Sequence, residues 1–298
     1  MKTNRLLLYV LLCFVLAGVL AAQSASPDLT FTCKVPKVKG AAEVDAYAIN
    51  NAGLITGDYV DSTGNQHGMI LNKKKATTFE APSGGSGIAG YGIDTAGDVV
   101  GWYVDSNGIA QGFLLSGGNM TSIFYPKSAS TQVNGMNDNG YIVGDYIDNS
   151  GITHGFYFDG KKYKKLDVKG ATTTIVWSVN NSNVFGLYTL DSSGAPQDGY
   201  TYTIKPKKFT KVDVPGAAGT VTHGINNNGD INFTIFDSSN NRHGVLYQAS
   251  TGVFTQFDVP DGTNSTRADG INDTDAQVGR YSPSSGNPAN QGFLCTVK

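Results

Sequence analysis

Glutamate is nearly missing from this chain: only Glu43 and Glu80 occur, so almost all of the 24 acidic residues are aspartate. That limits the chemistry. A glycosidase needs two carboxylates flanking the bond it breaks, one with a raised pKa, and neither glutamate recurs or has an evident partner. Asp45 and Asp269 fall near the start of repeat units, but nothing in the sequence singles them out. Cysteine is scarce, at 3 residues, and no Gly-x-Ser-x-Gly elbow appears. Excess charge is also lacking. A net charge of −2 argues against a nucleic-acid partner, which would favour a basic surface. Helical periodicity is absent throughout. No catalytic residue, metal or cofactor is assigned on these grounds.

The one long apolar run is N-terminal. Lys2 and Arg5 precede Leu6 to Leu20, and Ala21 and Ala22 offer a cleavage zone. The run is short for a spanning helix, which needs about 20 residues. It predicts a secretory signal over 1–22 and one mature domain over 23–298, extracellular or periplasmic. No membrane span should remain, and the mature protein is expected to be a monomer.

What the chain does have is a repeat. Its clearest copy is Gly-Met-Asn-Asp-Asn-Gly-Tyr-Ile-Val-Gly-Asp-Tyr-Ile-Asp-Asn-Ser-Gly-Ile-Thr-His-Gly-Phe, residues 135–156. The apolar anchor before the Asn-type position falls at Ile49, Ile93, Met136, Val179, Ile225 and Ile271, at intervals of 44, 43, 43, 46 and 46 residues. A period near 45 marks an array of small sheets, because one unit cannot bury its own apolar face. Within 133–168, strands are expected at Val133 to Asn137, Tyr141 to Asp148, His154 to Phe158 and Tyr163 to Val168. Asn-Asp-Asn-Gly, Asp-Asn-Ser-Gly and Asp-Gly-Lys-Lys supply the turns. Four antiparallel strands per repeat, six times, predict an all-β, six-bladed β-propeller.

The chain ends favour a closed ring over an open solenoid. The sixth repeat stops after its third strand, at Gly292 to Lys298. Phe31 to Ala42 resembles Phe209 to Ala218, and a strand at about 30–38 is expected to complete that last blade, with the repeats running from about 45 to 298. Closure removes exposed sheet edges. Aligned this way, Cys295 matches Phe158, Tyr202 and Tyr247, while Cys33 matches Tyr163, Phe209 and Phe254. Those residues flank the third turn and should face each other across it. A Cys33–Cys295 disulfide is therefore expected, in keeping with an oxidising compartment.

The pattern Ile-Asn-x-x-Gly-x-Ile-x-Gly-x-Tyr, then Asp-x-x-Gly, then His-Gly-Phe, resembles the HAF-type extracellular repeats of bacterial secreted proteins. It is carried by Ile49-Asn50, Met136-Asn137 and Ile225-Asn226, and by His67-Gly68, His154-Gly155-Phe156 and His243-Gly244. The family's central Ala is Gly here, and Gln111, Asp198 and Gln291 replace the His in repeats 2, 4 and 6. The resemblance implies secretion and a repeat fold, and no established activity.

Most polar motifs read as structure. Asp61, Asp105, Asp148, Asp191 and Asp237 each bring one carboxylate to a turn, too few for a calcium loop. His67, His154 and His243 share a repeat position far from the axis, so each should make the same local hydrogen bond within its blade. Lys73, Lys74, Lys75, Lys161, Lys162, Lys205, Lys207 and Lys208 cluster at third-turn tips, on the face opposite the Asp turns.

One position varies where its neighbours do not. Two residues before each anchor stand Tyr47, Tyr91, Asn134, Trp177, His223 and Asp269. First strands of propeller blades are innermost, so these six side chains are expected to ring the central channel as a ligand platform. Aromatic rings with polar tips suit sugar faces and peptide backbones. The expected role is a binding or scaffold module for an extracellular carbohydrate or cell-envelope polymer. A protein-interaction platform is the alternative, and a hydrolase of an extracellular polymer comes third.

Overall fold

In five of the six repeats the first hairpin is fixed by a side-chain amide. In the computed structural model, which describes residues 29–262, 264–286 and 290–298, Asn137 Oδ1 accepts the backbone N–H groups of Asn139 at 3.1 Å and Tyr141 at 3.0 Å. Asn50, Asn180, Asn226 and Asn272 repeat the arrangement. The anchor asparagine of the motif is thus a turn clamp. The expected secretory segment, 1–22, lies outside the described residues.

The 24 strands of the described residues pair antiparallel apart from one parallel contact, and no helix occurs among those residues. Four sheets have four consecutive strands each, starting at Ser86–Ile93, Ser130–Met136, Thr173–Val179 and Gly219–Ile225. The fifth is eight-stranded. It joins the set beginning at Ala41–Ile49 to Arg267–Ile271, Gln277–Tyr281 and Gln291–Val297, through a single parallel bridge from Val44 to Gln291. Phe31–Lys34 pairs antiparallel with Gln291–Val297. This strand is shorter than the expected 30–38, because Pro36 has no N–H to continue a ladder. The fourth strand of the third repeat also ends early, at Lys165. Beyond it, Asp167 turns its carboxylate onto the Gly155 N–H at 3.1 Å.

Close approach between first and second strands explains the glycine of Ile-x-Gly. A Cβ at Gly57, Gly101, Gly144 or Gly279 would lie 1.9–2.0 Å from the carbonyl oxygen of Asp45, Ala89, Gln132 or Arg267. No side chain fits there. The core lies between sheets and is filled from third strands by Met69, Phe113, Phe156 and Phe293, all fully buried. Each such side chain contributes about 1.5–3 kcal/mol of transfer free energy.

Neighbouring sheets are tied by the other end of the same asparagines. Asn50 Nδ2 donates to Asp94 O at 2.8 Å, Asn137 to Asn180 O at 2.7 Å, Asn180 to Asn226 O at 2.9 Å, Asn226 to Asn272 O at 3.1 Å, and Asn272 to Asn50 O at 3.2 Å. Only Asp94, lacking an amide, makes no such donation to its neighbour.

The cysteine expectation holds. Cys33 stands opposite Cys295, with Cα atoms 4.0 Å apart, and the two form a disulfide. At the same register, Phe158–Tyr163, Tyr202–Phe209 and Tyr247–Phe254 pack with ring centroids 4.7 Å apart. The disulfide replaces an aromatic cross-strand pair.

Candidate functional site

The six variable residues share an unexpected backbone feature. Strand register slips in every first strand: between Ala46 and Ala48, Gly90 and Gly92, Val133 and Gly135, Val176 and Ser178, Thr222 and Ile225, and Ala268 and Gly270. Tyr47, Tyr91, Asn134, Trp177, His223 and Asp269 are therefore bulge residues, unpaired in the ladder and free to aim elsewhere. A bulge re-aims a side chain at the cost of one ladder position. That is why this position varies while its neighbours stay regular.

The bulge residues meet at the axis, but they are mostly buried. Tyr47 is 4% exposed, Asn134 3%, Trp177 7%, and His223 and Asp269 1% each. Tyr47 stacks on Tyr91 at 4.2 Å, Tyr91 meets Trp177 edge-on at 5.8 Å, and Trp177 packs on His223 at 4.6 Å. Trp177 Nε1 donates to Asp269 O at 3.2 Å. His223 Nδ1 donates to Ala268 O at 2.5 Å. Burial, then the nearby Arg267 charge, holds the His223 pKa well below the ordinary value. The imidazole is thus neutral, and its 3.8 Å approach to Asp269 is no ion pair. Burial raises the Tyr47 hydroxyl pKa and pushes Tyr91 up to about 12, so both keep their protons.

Above this floor lies an open cup of about 150 Å³. Its walls include Trp102, Gln132, Asp145, Tyr188, Arg267 and Arg280, and its base Tyr91, Asn134 and Trp177. The wall residues follow a rule too. Along the second strands, Asp58, Trp102, Asp145, Tyr188 and Arg280 pair with Asp45, Ala89, Gln132, Ile175 and Arg267. Sequence reading missed this second ring. Its signal was available, since the residue after the second-strand glycine changes from Asp58 to Trp102 to Asp145 to Arg280. In the fourth repeat Leu187 stands where the glycine is expected, which hides Tyr188 from a motif search although its pairing with Ile175 is regular.

Aromatic faces and charged forks converge in the cup. Tyr91 and Trp102 stack at 5.7 Å. Arg267 lies over Trp177 at 5.7 Å and Arg280 over Tyr47 at 4.8 Å, as cation–π pairs. Arg267 Nε donates to Asp269 Oδ1 at 2.9 Å, and Arg280 Nη1 to Asp45 Oδ2 at 3.0 Å and to the Tyr47 hydroxyl. Asn134 Nδ2 donates to Asp145 Oδ1 at 2.8 Å. Burial pushes the Asp145 carboxyl up to about 7. Burial, together with the Asp45 charge, does the same to Asp58. Asp45 Oδ1, Asp58 Oδ1 and Asp269 Oδ2 have no hydrogen-bond partner among the described residues.

A second, polar mouth lies at the other end of the axis, lined by Asn51, Thr95, Asp138, Asn181, Asn227 and Asp273. These side chains bond from sheet to sheet, as Asn181 Oδ1 does to the Asp138 N–H at 3.0 Å. Between the mouths stand the anchors Ile49, Ile93, Met136, Val179, Ile225 and Ile271.

The peripheral motifs take local roles. His67 bridges Glu80 at 2.8 Å and Asp61 at 3.2 Å, and His154 bridges Asp167 at 2.8 Å and Asp148 at 3.3 Å. His243 bonds Asp258 at 3.0 Å. Asp61, Asp105, Asp148, Asp191 and Asp237 each accept two backbone N–H groups of their own turn. Lys73, Lys161, Lys162, Lys205 and Lys207 lie in third turns, between strands.

No protein-family model matches the chain, and no curated protein matches it. Solved structures do. A TolB from Agrobacterium tumefaciens superposes with TM-score 0.60 at 10% identity, over 91% of this chain and 99% of that one. TolB from Acinetobacter baumannii gives 0.54 at 13% identity, over 88% of this chain but 65% of its own length. The SapL1 lectin in complex with alpha methyl fucoside gives 0.55 at 9% identity, over 86% and 95%. At such identities the likeness establishes a propeller-like fold and nothing more.

Proposed function

We propose that this chain is an exported six-bladed β-propeller whose ring is closed by Phe31–Lys34 in the last blade. It acts as a non-enzymatic binding module that seats a saccharide in the axial cup. The observation that carries this reading is the cup itself. Tyr91, Trp102, Trp177 and Tyr188 bring aromatic faces to the same small basin as Gln132, Asn134 and Asp145. Sugars present apolar C–H faces to aromatic rings and hydroxyl edges to planar amides and carboxylates. At about 150 Å³ the cup is smaller than the roughly 300–1,000 Å³ of pockets that enclose a whole ligand. It suits one terminal unit of a longer glycan or cell-envelope polymer.

The disulfide and the HAF-type resemblance support export, and the fold is one that the SapL1 lectin, solved with alpha methyl fucoside, shares. Three bulge residues, Tyr91, Asn134 and Trp177, form the floor of the site, and Trp102 and Tyr188 its accessible walls. The test is a glycan and envelope-polymer array probed with residues 23–298, beside a Trp102→Ala/Tyr188→Ala variant. Hits lost in the variant support the reading. An empty array, with a protein captured instead from envelope extract, overturns it in favour of a protein-interaction platform.

A further inference from the structure

We infer that the cup selects a saccharide ending in a single carboxylate, which Arg267 and Arg280 clamp between them; this rests on the saccharide reading above. Arginine is the rare cation here, at four residues against 18 lysines. The lysines named above sit at hairpin tips, whereas two of the four arginines line one small cup. They also stand directly opposite each other on antiparallel strands. Like charges so placed destabilise strand pairing, and Asp269 and Asp45 offset this by pairing with one guanidinium each.

Their neighbours hold the guanidiniums in place without using them up. Asp269 takes Nε of Arg267, and Asp45 and the Tyr47 hydroxyl take Nη1 of Arg280. Trp177 and Tyr47 lie beneath their faces. A guanidinium has five N–H donors in a fixed fork. Among the described residues, the remaining nitrogens of both arginines have no hydrogen-bond partner. Two pre-oriented forks, side by side in a cup with an aromatic base, match a planar carboxylate carried on a sugar ring.

The surroundings also set the number of charges. The turn aspartates Asp61, Asp105, Asp148 and Asp191 follow the second strands, so they share the end of the sheets onto which the cup opens. A polyanion lying across this face would meet all of them. One terminal carboxylate at the axis would meet a single lining carboxyl, that of Asp145, which Asn134 holds at 2.8 Å and which burial pushes up to about 7.

The test compares an oligosaccharide ending in glucuronic acid with its methyl ester, which keeps the shape and removes the charge. Titration calorimetry of the intact protein should show the acid binding on the order of tenfold tighter, as expected of a charge-assisted contact. An Arg267→Lys/Arg280→Lys variant keeps both charges but loses the forks. It should lose most of that preference, read as the ratio of acid to ester affinity in the variant against the same ratio in the parent. Equal affinity for acid and ester, or a preference unchanged in the double variant, overturns the inference. If neither acid, ester nor any neutral glycan binds, the saccharide reading itself fails. Should the variant not fold, the wild-type ratio of acid to ester decides alone.

Discussion

Replacing Asp94 with asparagine should stabilise the protein, although it removes a charged residue from a turn. At five of the six equivalent positions an asparagine clamps its own turn through Oδ1 and donates Nδ2 to the next sheet's carbonyl, at 2.7–3.2 Å. Asp94 performs the first task, accepting the Asp98 N–H at 2.9 Å. It cannot perform the second, so Asn137 O lacks the amide donor that its counterparts receive. One added hydrogen bond contributes about 1 kcal/mol. That is about 2–4 °C in melting temperature for a domain of this size.

A second term adds to it. Burial raises the Asp94 pKa above 3.8, with the Asp98 and Asp138 charges adding to the effect. A carboxyl whose folded pKa is raised favours the folded state only while protonated. Its destabilising effect begins as pH passes its unfolded pKa and is complete above the folded one. The advantage of Asp94→Asn should therefore grow as pH rises above about 3.8. The reverse change, Asn180→Asp, removes the 2.9 Å donation to Asn226 O and buries a carboxylate. It should cost about 1–3 kcal/mol. Thermal melts of both variants at pH 4 and pH 7 measure the pair. An Asp94→Asn melting temperature equal to or below the parent's at pH 7 would refute the reading of the ladder.

Other perturbations have equally definite outcomes. Hydrogen bonding to Glu80 raises the His67 pKa, with Asp61 adding to it. Its stabilisation is complete below the unfolded value near 6.5 and fades as pH rises through the folded pKa, so His67→Gln should flatten the stability profile above pH 6 in chemical denaturation. A Cys33→Ser/Cys295→Ser variant should lose about 2–5 kcal/mol, read as a fall in denaturation midpoint, since the bond closes a loop of 262 residues. Gly144→Ala places a Cβ 2.0 Å from Gln132 O and should yield little soluble protein, whereas Gly108→Ala, in an open turn, should cost far less. Saccharides that bind should be recovered unchanged after prolonged incubation, by mass spectrometry.

Much of the fold was legible because each repeat carries its own instructions. Asn-Asp-Asn-Gly and Asp-Asn-Ser-Gly are local turn chemistry, and they sit where the hairpins turn. The cysteine register followed from aligning Cys33 and Cys295 with aromatic pairs that do oppose each other. Strand ends were less legible, because Pro36 and Asp167 stop strands through individual contacts that no period encodes. The site was half visible. Variation at Tyr47, Tyr91, Asn134, Trp177, His223 and Asp269 marked the axis, but a bulge is invisible to alternation, so their burial was not foreseen. The walls were missed because the second-strand glycine that precedes them is replaced by Leu187 in the fourth repeat and Phe233 in the fifth, so no single motif marks the ring.

The cup offers a direct probe of where ligands sit. The chain has only two tryptophans, Trp102 and Trp177, and both line it. The decisive measurement is tryptophan fluorescence during titration with saccharides that bind the intact protein. Emission should shift or quench in step with calorimetric binding, and the response should disappear in Trp102→Ala/Tyr188→Ala. Saturable binding with unchanged emission would place the ligand elsewhere on the molecule and contradict the cup as the site.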